Sequence, residues 1–217
     1  MAALARVVLN PVLVGRLLAG WGPVEAWEAL RGGQHPLDPE GRWQEAARRL
    51  DLGGLGAVLD RFGVRVLGPG DPWFPTRLAE RPGGPRVLFV RGQMATLGAG
   101  PVVAVIGSRA ATGYGQEVAR WFGTTLADAG VVVAGGLRRG IEAAAHAGAL
   151  VAAGPGPLAV VGGGLGRALA GDERRQQAAV VSRGALVSEL PPGVPERPWT
   201  LAMRCRLLAA LAEVVVV

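Results

Sequence analysis

The chain contains no lysine, one cysteine, two histidines and one tyrosine among its 217 residues. A single cysteine, Cys205, excludes an intramolecular disulfide framework and favours a reducing compartment, so we expect a cytoplasmic protein. One cysteine and two histidines are also too few for a typical zinc site. We therefore expect neither a metal centre nor a cofactor.

Long apolar runs without charge are also missing, which argues against a membrane-spanning helix. The first 18 residues are largely apolar, but Arg6 and Arg16 interrupt them. This pattern is typical of an amphipathic core helix rather than of a cleaved signal peptide. We expect no membrane insertion.

All 23 basic residues are arginine, and the formal net charge is +6. Residues 1–99 carry 12 arginines against 9 acids, and residues 100–217 carry 11 against 8, so each half contributes +3. An even spread of charge is compatible with a preference for arginine codons in a GC-rich gene. It supports an anionic partner only weakly.

The order of apolar patterns and turn residues predicts three segments. Residues 1–62 form a small helical module, with helical spacing over 4–18, 24–31, 42–50 and 55–62. Residues 63–100 form a linker and the N-terminal extension strands of the Rossmann-like domain, at 63–67 and 87–92. From 101 to 217, strands at 102–106, 131–134, 158–161, 185–189 and 214–217 alternate with helices at 116–129, 141–153, 173–183 and 203–212.

Such alternation predicts an α/β fold, a Rossmann-like, doubly wound and mainly parallel sheet preceded by the helical module. Ligands of such sheets bind beyond the carboxyl ends of the strands. Three unusual loops follow predicted strands at that edge.

The first loop begins where the apolar run at 102–106 ends, and its candidate residues are Gly107, Ser108, Arg109, Tyr114 and Gly115. Glycine allows a close approach of the backbone to an anion, free N–H groups precede the helix, and arginine adds a bidentate cation. We expect a phosphate site here. The alternative is an ordinary turn with a surface arginine, because no complete G-x-G-x-x-G is present.

The second loop places two adjacent guanidinium groups at a glycine-rich helix entrance, through Gly136, Arg138, Arg139 and Gly140. Glu142 and His146 follow with a spacing of four residues, which puts them on one face of a helix. Glu142 could then orient His146 as a catalytic or site-orienting pair. The alternative is an acid favoured by the helix dipole beside a core histidine.

The third loop offers backbone almost without side chains, at Gly162, Gly163 and Gly164, with Arg167 close behind. Its alternative interpretation is a tight turn. Arg204 and Arg206 begin the last predicted helix and are further candidate phosphate ligands, although such a pair is often a solvated face.

The chain resembles the DNA-processing protein A family (DprA, also called Smf) of bacterial single-strand DNA binders. The motifs that carry the resemblance extend in order over about 150 residues of the chain. They are residues 62–66, 69–75, 87–92, 107–109, 140–142, 145–146, 148–150 and 188–193. The helical module is similar to the sterile-alpha-motif-like domain of that family.

The resemblance implies a non-enzymatic protein that binds single-stranded DNA in a basic pocket, in DNA uptake and natural transformation. It further implies assistance in loading a RecA-type recombinase, and it leaves a homodimer open. Arg109 matches the arginine of the family's glycine-serine-arginine turn, and is the first candidate for a phosphate contact.

The sequence departs from the family pattern at several positions. Glu142 replaces the usual aspartate, Cys205 replaces an asparagine between two arginines, and Leu169-Ala170 replaces an aromatic-proline pair. Because the chain ends within a run of valines, we expect a C-terminally incomplete Rossmann domain with a bare apolar edge.

Two further functions stay open at this point. One is a phosphoribohydrolase-like enzyme acting on nucleotides, with Glu142 and His146 as its acid–base candidates, although the proline-glycine-glycine-x-glycine-threonine loop of such enzymes is missing. The other is an inactive truncated copy.

Overall fold

The computed structural model describes residues 1–166 and 171–217. These form a seven-stranded sheet with the strand order β1-β2-β6-β5-β4-β3-β7. The strands are β1 (Arg65–Leu67), β2 (Leu88–Gly92), β3 (Val102–Val105), β4 (Val132–Gly135), β5 (Leu158–Val160), β6 (Ala185–Ser188) and β7 (Val214–Val216).

The predicted fold class is confirmed, with one addition to the parallel core. Strands β6, β5, β4, β3 and β7 pair in parallel. Strand β2 pairs antiparallel with β6, and β1 pairs antiparallel with β2. The extension strands of residues 63–100 therefore belong to the same sheet as the parallel core.

Helices cover both faces of the sheet, as expected for a doubly wound fold. The N-terminal helices are α1 (Ala2–Val8), α2 (Pro11–Leu17), α3 (Pro23–Gly32), α4 (Gln44–Arg49) and α5 (Leu52–Arg61). The later helices are α6 (Thr76–Ala79), α7 (Gly113–Asp128), α8 (Ile141–Val151), α9 (Gly171–Arg183) and α10 (Pro198–Leu211), and a 3-10 turn spans Met94–Gly98. None of the helices within residues 1–166 and 171–217 combines the length and hydropathy that a membrane span requires.

Alternate residues of each strand face opposite layers. Helices α6 and α10 cover one face, where Leu207 and Leu208 pack on strand residues such as Ala104 and Val160. Helices α7 and α8 cover Val105 and Val133 on the other face.

The N-terminal helices continue this second layer, because their buried residues share one apolar cluster with the sheet. Leu4, Leu17 and Leu30 belong to the same cluster as Phe89 of β2 and Leu186 of β6. The helical segment is thus stabilised by burial against the sheet.

Several predicted helix boundaries were wrong by three residues or more, and three of the differences have a clear local reason. Residues 4–18 form two helices, because Asn10 caps a new helix at Pro11 and accepts hydrogen bonds from Val12 N and Leu13 N. Helix α7 starts three residues before the predicted 116, where Thr112 caps it. Helix α10 starts at Pro198 rather than 203, because proline is favourable in the first helical turn.

Candidate functional site

The order of the parallel strands reverses between β3 and β7, and ligands of doubly wound sheets bind at such a point. A cavity of about 350 Å³ lies there. We call it the switch-point cavity, and its polar and reactive lining residues are Arg109, Arg138, Glu142, Arg204 and Cys205. The first two candidate loops and helix α10, which are distant in sequence, thus converge on one space.

The first loop is held tightly against the second. A Cβ on Gly107 would lie 2.7 Å from Cγ1 of Ile141, and a Cβ on Gly140 would lie 2.1 Å from the carbonyl oxygen of Ser108. Ile141 N donates a hydrogen bond to that same Ser108 oxygen, at 3.2 Å. The glycines are therefore required for close packing of the two loops. The first N–H of α8, that of Ile141, is thus hydrogen-bonded to Ser108 and is not free to bind an anion.

The exposed part of the first loop presents a cation and an aromatic ring. Arg109 is exposed, and Tyr114, in the first turn of α7, is 78% exposed. The Ser108 hydroxyl accepts a hydrogen bond from Ala110 N, and Thr112 Oγ1 accepts one from Gly115 N. Both interactions fix the local course of the loop while leaving Arg109 at the cavity wall.

The second loop carries two arginines in different states. Arg138 donates a hydrogen bond to Glu196 and pairs with it, whereas Arg139 is exposed. Within the described part of the chain, Arg109 and Arg139 take part in no ion pair or side-chain hydrogen bond. These two guanidinium groups are available to an anion without breaking an internal contact.

Arg204 is fixed by two partners at the base of the switch-point cavity. Its Nη2 donates to Glu142 Oε1 at 2.5 Å, its Nε donates to the carbonyl oxygen of Val160 at 3.0 Å, and both side chains of the ion pair are 10% exposed. Gly136 makes room for this guanidinium, since a Cβ there would lie 2.0 Å from Arg204 Nη2. Arg204 lies within α10 and not at its start, so the prediction that it begins the last helix was wrong.

Glu142 therefore holds Arg204, and the expectation that it orients His146 is not supported. His146 is 1% exposed, and neither ring nitrogen has a hydrogen-bond partner in the described residues. Burial, reinforced by the charge of Arg204, lowers the pKa of His146 to about 4. The ring is thus a neutral core residue, shielded from any substrate in the cavity.

The triple-glycine loop packs against the segment that leads into α10. A Cβ on Gly164 would lie 1.9 Å from the carbonyl oxygen of Pro191, and Gly164 N donates to Val194 O at 2.9 Å. A Cβ on Gly163 would lie 3.1 Å from Glu196 N, and one on Gly162 would lie 3.3 Å from Glu196 Oε2. These glycines serve loop-to-loop packing. Arg167 and Leu169-Ala170 lie outside the described residues.

A second cavity, of about 270 Å³, lies beside this loop. We call it the glycine-loop cavity, and it is lined by Gly163, Gly164, Leu165, Arg138, Glu196 and Arg204, among others. Arg138 and Arg204 line both cavities. They separate the space at the switch point from the space beside the triple glycine.

Arg206 is directed away from both cavities. It pairs with the buried Glu189 and donates a hydrogen bond to the carbonyl oxygen of Gly83, at 3.2 Å. Burial raises the pKa of Glu189, and the charge and hydrogen bond of Arg206 oppose that rise. The structure thus does not bring Arg206 together with the other candidate residues.

Sequence reasoning missed Glu196, which pairs with Arg138 across 58 residues of chain. The only available signal was its position as the single acid between Leu190 and Leu211. The sequence shows Cys205 only as a departure from the asparagine of the family pattern. Its position in the wall of the switch-point cavity is visible only in the structure.

Residues 65–217 match the family described as DNA recombination-mediator protein A. The chain belongs to this family. Protein Smf of Escherichia coli K12 is 37% identical over 146 residues, covering 67% of this chain and 38% of the relative. A putative DNA processing protein DprA of Mycobacterium tuberculosis is 33% identical over 232 aligned positions, covering all of this chain and 59% of the relative.

Solved structures of the family have the same fold. The X-ray structure of DprA from Streptococcus pneumoniae superimposes with a TM-score of 0.80 at 25% identity, over 98% of this chain and 74% of that one. A DprA structure from Helicobacter pylori superimposes with a TM-score of 0.63 at 23% identity, over 71% of this chain and 68% of that one. The chain spans about two fifths to three fifths of the length of its curated relatives.

Proposed function

We propose that this protein binds single-stranded DNA at the switch-point cavity and acts as a recombination mediator for incoming DNA in the cytoplasm. The observation that carries the proposal is the exposed Arg109, which has no ion-pair partner among the described residues, at the wall of a cavity that also contains Arg138 and Arg204. A phosphate group contacts such a site through charge-assisted, bidentate hydrogen bonds.

The ring of Tyr114 adds a second element suited to single strands. An exposed aromatic side chain stacks on any base, which gives binding without strong sequence preference. Tyr114 lies in the first turn of α7, five residues after Arg109.

The Helicobacter pylori relative is described as binding single-stranded DNA. The family is described as a recombination mediator, and assistance to a RecA-type recombinase is a further part of the proposal.

The test is fluorescence anisotropy with labelled oligo-dT and the variant Arg109→Ala at two salt concentrations. Loss of one charge-assisted contact weakens binding by about 1–3 kcal/mol. The slope of log affinity against log salt falls by about 0.7, the value for one phosphate contact on a single strand.

Arg49→Ala provides the matched control, because Arg49 is exposed on α4 and pairs with Glu45 outside the cavity. It removes the same charge and leaves the cavity untouched. Equal losses of affinity in the two variants would indicate a general effect of net charge and would contradict a site at Arg109.

The nucleotide-hydrolase alternative depends on Glu142 and His146, and the structure offers it no support. Glu142 is bound to Arg204, and His146 is buried without access to the cavity. Nucleotide hydrolysis that disappears in Glu142→Gln, in a protein that remains folded, would restore this alternative.

A further inference from the structure

The ion pair between Arg138 and Glu196 lies at the boundary of the two cavities, and both residues line the glycine-loop cavity. Arg138 alone of the two also lines the switch-point cavity. The carboxylate of Glu196 therefore binds the guanidinium group of Arg138. Without this carboxylate, the guanidinium group would be available to an anion in the switch-point cavity.

Arg138 and Arg204, the two arginines at this boundary, differ in the burial of their ion pairs and in the number of their hydrogen bonds. In the Arg204–Glu142 pair both side chains are 10% exposed, and Arg204 also donates to Val160. In the Arg138–Glu196 pair the side chains are 29% and 31% exposed. Within residues 1–166 and 171–217, Arg138 has no other hydrogen-bond acceptor. A partly solvated pair with one contact exchanges partners more easily than a buried pair with two.

The backbone of Glu196 packs closely against the triple-glycine loop, whereas its side-chain contact with Arg138 is partly solvated. The close approach of Gly163 to Glu196 N positions this residue against the triple-glycine loop. Its carboxylate thus stays within reach of Arg138, and it returns to the guanidinium whenever an anion leaves. Both groups carry full charges, so a phosphate and the carboxylate compete directly for the same donors.

We propose that Glu196 is an intramolecular competitor of the DNA phosphate for Arg138 and thereby lowers the affinity of the site. The inference rests on the proposed DNA-binding function. In the free protein Arg138 is bound to Glu196, while Arg109, which has no partner within residues 1–166 and 171–217, makes the first phosphate contact. A second phosphate then displaces the Glu196 carboxylate and gains Arg138.

The test compares Glu196→Gln with the unmodified chain in oligo-dT anisotropy at two salt concentrations. Removal of the competing charge strengthens binding roughly fivefold, the effect of one partly exposed ion pair. The salt slope becomes steeper, because the site then presents one more net positive charge to the DNA phosphates. Glu45→Gln, which removes the same charge from the exposed pair with Arg49 on α4, leaves both values unchanged.

A second experiment separates competition for Arg138 from an effect of the substitutions on folding. It measures the effect of Arg138→Gln on DNA affinity with and without Glu196. Arg138→Gln has a small effect on affinity in the unmodified chain and a larger one in the Glu196→Gln background, with thermal melting recorded for each protein. If the unmodified chain binds DNA and Glu196→Gln leaves its affinity and slope unchanged, the competitor role is overturned. If neither protein binds DNA, the proposed function itself fails, and the inference fails with it.

Discussion

The arginines around the switch-point cavity have the same charge and different environments. Arg204 is a structural cation, because Glu142 and the Val160 carbonyl fix it under Gly136. Arg138 is paired with a carboxylate at the cavity boundary, whereas Arg109 is exposed and unpaired in the described chain. Charge alone therefore does not identify a ligand contact, and the internal partner of each arginine decides its role.

His146 makes the stability of the protein depend on pH. Its pKa in the folded protein is about 4, against an ordinary value of 6.5. As the pH falls below 6.5, His146 becomes protonated in the unfolded chain but stays neutral in the folded protein until the pH approaches 4. The unfolding free energy is therefore unaffected by protonation of His146 above about pH 6.5. It falls by about 3 kcal/mol in total as the pH is lowered towards 4.

Urea denaturation of the unmodified chain and of His146→Gln, at pH values between about 7 and 4.5, measures this effect. The difference in unfolding free energy between the two proteins shifts in favour of the variant as the pH falls. Glu189 titrates in the opposite sense, because its raised pKa adds stability on acidification. Since Glu189 is present in both proteins, its contribution cancels. A difference that stays constant with pH would contradict a neutral, buried His146.

The location of Arg109 was predictable from the sequence because its evidence is local, while its phosphate contact stays a prediction. The strand-to-helix turn of 107–109 placed Arg109 at the cavity, as expected from its position after an apolar strand. The partner of Glu142 lies 62 residues away, and the partner of Arg138 lies 58 residues away. No spacing rule links such residues, so the i,i+4 relation to His146 was the only visible pairing for Glu142.

At the scale of elements, the glycines of the loops have separable roles. Gly140 adopts a φ of +92° and abuts Ser108 O, so Gly140→Ala forces the first and second loops apart. We expect this variant to lose at least 1 kcal/mol of unfolding free energy, because strained backbone and a steric clash add. Its affinity for oligo-dT also falls, since Arg109 moves with the first loop.

Gly56→Ala is the matched control for this prediction. Gly56 lies inside α5, and a Cβ there meets no atom within 4 Å. Alanine is the better helix former, so this variant gains about 0.5–1 kcal/mol of stability. Denaturation curves for both variants test the pair. Equal changes in stability would contradict the packing role assigned to Gly140.

Helix boundaries show which local signals were misread. Pro11 and Pro198 each stand in the first turn of a helix, where the missing N–H has no cost. The apolar spacing predicts one helix through Pro11 and a helix that starts only after Pro198, at 203. Strand positions were more reliable, because continuous apolar runs bounded by glycine have few other interpretations.

At the scale of the whole molecule, alternating strands and helices were sufficient to predict the parallel core and the edge at which the loops meet. The antiparallel pairing of β2 with β6 was not predictable, because it joins residues almost a hundred positions apart. The same holds for the N-terminal helices. Their spacing predicted helices, but only the structure revealed that they share one apolar cluster with the sheet.

The most direct test of DNA binding at the switch-point cavity uses Cys205, the single cysteine of the chain, which is exposed and lies in the cavity wall. We would measure the rate of its alkylation by iodoacetamide with and without saturating oligo-dT. DNA in the cavity slows this reaction severalfold, and Arg109→Ala loses the protection at the same DNA concentration. An unchanged alkylation rate in protein that anisotropy reports as DNA-bound would place the DNA elsewhere and would contradict the account.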